Sequence, residues 1–267
     1  MDRMDIAGAV LLVILVVAFI TASAASLLPR GEEDVAENFT LNPAEASGVR
    51  SVNVNLESNA SGVELEFTNT SDRIYTVETE RSSGTQRPVV NHTVNGENLN
   101  LNITLDTGSA RILLSNRYIY NITLKTRTGG FRIVLSNDSR IENFNSTIQY
   151  AGGGTVLIGN STFRNASFYV NTGGFYIADM DQNVRATGNI STEVTIGGIS
   201  LAVSPENILR ITGSVDYGGI GFEPAGFKVI KNSTTYLQLQ GSGKLEITDR
   251  VGLGGIDVGV FRIPVTP

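Results

Sequence analysis

The ten residues TGSARILLSN (107–116) return 21 residues later as TGGFRIVLSN (128–137), with seven positions identical. The motif then recurs as AGGGTVLI, TGGFYIA, IGGISLAV and YGGIGF. Counting from Gly108, the leading glycines are Gly129, Gly152, Gly173, Gly197 and Gly218, at steps of 21, 23, 21, 24 and 21 residues. A late member, LGGIDVGV at Gly254-Gly255, follows after 36 residues, with LQLQGSGKLEI between. A regular period in the low twenties marks a repeat architecture, in which each unit buries its apolar face only by stacking on its neighbours.

Each unit is patterned as strand. After the glycine pair every second residue is apolar: Phe131, Ile133 and Leu135, then Val156 and Ile158, Phe175 and Ile177, Ile199, Leu201 and Val203, Ile220 and Phe222. Arg132, Thr155, Tyr176 and Ser200 fall between them. A period of two sends one set inward and the other outward. Further alternating stretches precede the pairs, and polar turns such as SNDS, DMDQN and SPEN separate the units. The unit therefore reads as strand, glycine bend, strand, turn. The glycines suit a corner, or a place where a neighbouring backbone comes close. The fold expected is all-β: a single-stranded β-solenoid with about 21–24 residues per coil, preceded by an N-terminal transmembrane helix. A meander of hairpins in a sandwich would use similar strands but has no reason to keep the glycine pair in register.

Residues 107–267 form the repeat region in this reading. Residues 51–106 alternate less regularly and suit a β-rich N-terminal cap or first coils, because an exposed solenoid end is a sticky edge. Pro264 and Pro267 suit a stop at the other end. Residues 29–50 are polar and aperiodic, and read as a linker.

The transmembrane expectation rests on Val10–Ile20, eleven apolar residues inside a charge-free span from Ile6 to Leu28. As a helix that span would be roughly 35 Å long, enough to cross a hydrocarbon core of about 30 Å. Residues 1–28 are thus expected to be a membrane anchor in contact with lipid through 6–28. Ala22-Ser23-Ala24 leaves a cleaved signal peptide as the alternative.

Asn-x-Ser/Thr occurs at Asn38, Asn59, Asn69, Asn91, Asn102, Asn121, Asn137, Asn145, Asn160, Asn165, Asn189 and Asn232, all beyond the apolar segment. These are 12 of 23 asparagines, where random placement among 47 Ser and Thr gives about four. The excess points to N-glycosylation of an extracellular domain, hence to a cell-membrane protein of an archaeal or eukaryotic surface. Zero cysteines exclude disulfides and thiolate sites, and lean the reading towards archaea. The competing explanation is that Asn-x-Thr is ordinary turn and strand-edge vocabulary.

Little catalytic chemistry is legible. His92 is the sole histidine, too little for a Ser-His-Asp or His-metal constellation. GSGK (241–244) lacks the remaining phosphate-loop residues, with Leu245 where Ser/Thr is needed. DMDQN (179–183) spaces oxygen ligands like a calcium loop, but Val184 and Ile190 stand where Gly and a bidentate Glu belong. Asp179 and Asp181 carry the enzyme alternative, a polysaccharide-active β-helix. A net charge of −6, with both signs scattered, argues against nucleic acid as partner. No cofactor or metal is expected.

The glycine-led alternating strand on an N-terminal apolar segment resembles the adhesin-like, or toast-rack, β-solenoid family of prokaryotic envelope proteins over about residues 50–260. The resemblance implies no catalytic residues. It implies a structural, adhesion or envelope-sensing role, with a surface glycan or an envelope protein as partner. A pilin-like filament subunit is a further alternative, weakened by the lack of a processing site before Ile6.

Overall fold

The structure, a computed structural model, describes residues 34–181, 183–224 and 226–260. These form thirteen strands and one short 3-10 turn at Pro43–Ala46. In chain order the strands are β1 (Asp34–Leu41), β2 (Ser51–Thr68), β3 (Tyr75–Ser82), β4 (Val89–Asn95), β5 (Asn98–Ser115), β6 (Ile119–Leu135), β7 (Ser139–Ile158), β8 (Ser161–Asp179), β9 (Ala186–Val203), β10 (Ile208–Phe222), β11 (Lys228–Asn232), β12 (Tyr236–Gln240) and β13 (Lys244–Val260).

The all-β solenoid reading holds, but the fold as a whole needs correcting at its N-terminus. Among the described residues no helix is long and apolar enough to cross a membrane. The expected transmembrane segment, 6–28, lies outside the described residues. The polar stretch read as a linker contributes β1, which pairs antiparallel with β3 from Asp34↔Ser82 to Leu41↔Tyr75.

The coil itself also differs from strand, bend, strand. Eight long strands each run through the glycine position without interruption and bend there. They stack in parallel in the order β5-β2-β6-β7-β8-β9-β13-β10. The leading-glycine row is continuous: Gly218 faces Gly254, Gly254 faces Gly197, then come Gly173, Gly152 and Gly129, and Gly129 faces Ser61. Gly173 explains why the residue is required. Its φ is +138°, and a Cβ there would land on the carbonyl oxygen of Gly152 in the neighbouring coil. Any side chain would both strain the backbone and force the coils apart.

Chain order and stacking order diverge at both ends. β2 lies between β5 and β6, and β13 lies between β9 and β10. This accounts for the 36-residue step: after β10 the chain makes the β11–β12 pair on the outer side of β10, then returns to fill the slot beside β9. It also makes β2 a full coil, with Ser61-Gly62 in the glycine-pair position. The end coils are covered by antiparallel strands. β3 and β4 lie along the two halves of β5, and β12 lies along the first half of β10. Only from β6 to β9 do coils stack in simple succession.

Inside runs a single apolar column. Ile177 and Leu201 are buried, whereas Tyr176 is 43% exposed, so the inward register is the one the alternation gives. Phe144 and Phe168 touch at 5.5 Å between centroids, and Phe168 meets Phe175 at 5.9 Å. One inward row is partly polar: Ser146, Phe168, Thr192, Asp249 and Gly213 stand side by side on β7, β8, β9, β13 and β10. Asp249 is fully buried, and no hydrogen bond reaches either carboxylate oxygen. Burial pushes its pKa up to about 7, with the Thr192 side chain working against the shift.

Candidate functional site

Along the bend that the glycines permit runs a groove of about 2040 Å³, from β1 to β10. Its floor is glycine backbone. The register passes unbroken through both glycine rows, so the floor's peptide groups face those of adjacent coils. Ser61 and Ser109 stand in the floor rows on β2 and β5, and the side chains of the flanking rows enter from the walls. The row before the bend supplies Thr107, Ala60 and Thr128 at one end, and Leu253 and Tyr217 at the other. The row after it supplies Arg111, Glu64 and Arg132, then Thr155, Tyr176 and Ser200.

The two ends differ in chemistry. Around β5, β2 and β6, cross-strand register makes ion pairs: Arg111 reaches Glu66 at 3.3 Å, Glu64 at 3.6 Å and Glu78 at 3.8 Å, and Arg132 pairs with Glu64. Half-exposed pairs of this kind contribute little stability each, but they hold the carboxylates against arginines. Around β8, β13 and β10 the lining is neutral, with Tyr176, Leu253 and Tyr217 43%, 53% and 74% exposed, and the exposed Asp257 stands next to Ser200 at its border. Ile196 continues the Leu253 row on β9. The only hint of the groove in the sequence was the residue before each glycine pair, which becomes large and apolar in the last three coils.

The sequons lie outside the groove lining except at Asn38. Of the twelve asparagines eleven are exposed, and Asn121 is half-buried. Nine lie on strands and three in loops, at Asn69, Asn137 and Asn160. On a strand, Asn and the Ser/Thr two residues on point the same way, so Asn121, Asn165 and Asn189 fall in one outward row with Asn100, Asn53 and Asn143. Four of these make a ladder: Asn143 Nδ2 donates to Asn121 at 3.0 Å, Asn121 to Asn53 at 3.1 Å, and Asn53 to Asn100 at 2.8 Å. The amide of Asn121 is thus occupied at both oxygen and nitrogen.

The residues considered for catalysis or ligand binding have structural roles. Asp179 is buried. Its Oδ2 accepts from the Ser204 amide at 2.7 Å and the Ser204 hydroxyl at 2.9 Å, and its Oδ1 accepts from Asn207 at 2.8 Å. Burial raises its pKa, and those hydrogen bonds oppose the rise. It latches the turn after β8 to the turn after β9. Asp181 Oδ1 accepts the Asn183 amide at 2.6 Å within the turn. Among the described residues no cluster of His, Asp or Glu is arranged to hold a metal. In GSGK the four amide N–H groups donate to carbonyls of Leu209, Pro205, Ile208 and Asn207, which leaves none to cradle a phosphate. His92 lies exposed on β4, its Nδ1 within 2.9 Å of the Tyr75 hydroxyl.

No protein-family model matches the chain, and no curated protein matches it. Among solved structures it is similar to a proposed cell adhesion protein from Clostridium sporogenes: 13% identity, 85% of this chain and 100% of the other covered, TM-score 0.49. It is similar also to a proposed adhesin from Bacteroides fragilis, at 10% identity, 85% and 97% coverage and TM-score 0.28. A third, from Parabacteroides distasonis and likewise described as an adhesin, gives 10% identity, 85% and 98% coverage and TM-score 0.28.

Proposed function

We propose that the chain is a non-catalytic cell-surface protein with an adhesive role. In this reading residues 6–28 hold it at membrane lipid, and the solenoid projects outside the cell with N-linked glycans on its sequons. The observation that carries the reading is the groove: a solvent-open channel across all eight coils, with side chains that vary from coil to coil above a floor that is mostly glycine backbone. Such a surface suits an elongated partner on a neighbouring cell or in the envelope. The latched state of Asp179 supports a binding role over the polysaccharide-cleaving alternative, since both of its oxygens are already engaged. The test is a deletion strain compared with its parent for attachment to surfaces and to other cells. Protease added to intact cells is expected to remove the solenoid, and deglycosylation to lower its mass. Full protection from protease would overturn the orientation, and unchanged attachment would overturn the adhesive role.

A further inference from the structure

Resting on that reading, we propose that the tyrosine-bearing end of the groove binds a neutral, linear polysaccharide lying along the column axis, with Tyr176 and Tyr217 as its stacking platforms. Three features select this class of ligand. The floor's backbone groups are already paired between coils, so an added peptide strand would find no ladder of free donors and acceptors, which is the usual source of affinity in strand addition. The lining at this end carries no cation, and the nearest charge in its row is the exposed carboxylate of Asp257 beside Ser200, so nothing there recognises an anionic polymer. What it does present is exposed phenol rings, an aliphatic side chain at Leu253 and a hydroxyl at Ser200. That combination matches a sugar ring, with an apolar face to stack and hydroxyls at its rim to hydrogen-bond. Aromatic side chains with one polar end serve this kind of contact, since the ring buries area while the hydroxyl stays satisfied.

The geometry also sets the ligand's direction. Tyr176 on β8 and Tyr217 on β10 stand on opposite walls and are separated by β9 and β13, three strand spacings or about 14 Å along the column axis. A ligand touching both must run across the strands, and the groove continues that way for the length of the column. A polymer of repeated units meets repeated coils, which a compact small molecule would not exploit.

The purified full chain can be run through native gels cast with neutral polysaccharides (a glucan, a mannan and a xylan) and, in parallel, with alginate as the acidic polymer. At least one neutral polymer should retard migration. Tyr176→Ala and Tyr217→Ala should each weaken Kd about tenfold, Tyr217→Phe should keep the ring and the binding, and Tyr150→Ala, exposed but outside the groove, should change nothing. Retardation by alginate alone, or by no polymer, overturns the ligand class. Retardation that survives both alanine variants overturns the location. Concentration-dependent self-association abolished by Tyr217→Ala would identify a second copy as the occupant and overturn the proposal. If cells carrying Tyr217→Ala attach normally while deletion cells do not, the adhesive reading stands and this inference falls. If deletion leaves attachment intact but polymer binding depends on both tyrosines, the reverse holds.

Discussion

Asp249 makes the stability of this protein depend on pH in a direction opposite to that of most carboxylates. In the unfolded chain its pKa is the ordinary 3.8, whereas in the column burial lifts it to about 7. Between those values the folded state keeps a proton that the unfolded state has lost. Stability contributed by this group is therefore fully present below about pH 4 and falls as pH rises through 7. The slope is about 1.4 kcal/mol per pH unit and the total about 4 kcal/mol. Asp249→Asn removes the titration while keeping the shape, and its unpaired amide resembles the protonated acid. Urea midpoints of both proteins, measured from pH 4.5 to 8 at constant slope, separate this group from other carboxylates because those cancel in the difference. The variant should exceed the wild type by about 1 kcal/mol at pH 4.5 and by about 4 kcal/mol at pH 8. Parallel curves for the two proteins would refute the reasoning, and would mean that the carboxylate finds a partner or water inside the column.

Other expectations follow from neighbouring features. Gly173→Ala should cost at least about 3 kcal/mol through strain and the clash with Gly152, whereas Gly62→Ala, with open space around it, should cost under about 1 kcal/mol; thermal melts of the two compare them directly. Ile177→Ala should lose about 2–5 kcal/mol and Tyr176→Ala less than about 1 kcal/mol in urea titrations, and the reverse order would show that the inward register is off by one residue. Asn143→Ala should cost about 1 kcal/mol by breaking the ladder beside Asn121. In site-by-site mass spectrometry of the native protein, Asn69 and Asn160 should carry glycan while Asn121, its amide engaged on both sides, should not.

Period and inward register were readable because both follow from spacing: the leading glycine must recur wherever coils stack, and Ile177 and Leu201 alternate with outward neighbours. The order of stacking was not readable. Nothing local in VGLGGIDVGV says that it slides between β9 and β10, because parallel pairing is satisfied by any coil with the same register. Ser61 hid the β2 coil, since it holds the glycine position without being glycine, its hydroxyl 2.6 Å from that of Ser58. The asparagine ladder was legible in principle. Asn121 and Asn143 of the ladder share the coil period with Asn165 and Asn189 of the same outward row, at 22, 22 and 24 residues, yet the sequon reading drew attention to Asn121, Asn165 and Asn189 for a different reason. The groove could not be read from spacing at all, because it depends on which way the chain bends at Gly-Gly.

The interleaved ends change how the molecule meets mechanical load. A simple stack of coils unravels from its last turn, because each departing strand breaks one ladder at a time, like a zipper. Here the last long strand, β13, is gripped on both sides, by β9 along its whole length and by β10 beyond. A pull on the C-terminal side must drag it lengthwise out of that slot and load both ladders in shear together. β2 is gripped in the same way between β5 and β6. Force from the C-terminal side therefore meets the β13 clasp, force from the N-terminal side meets the β2 clasp once the β1–β3 pair has given way, and the middle coils, β6 to β9, would be the last to feel it.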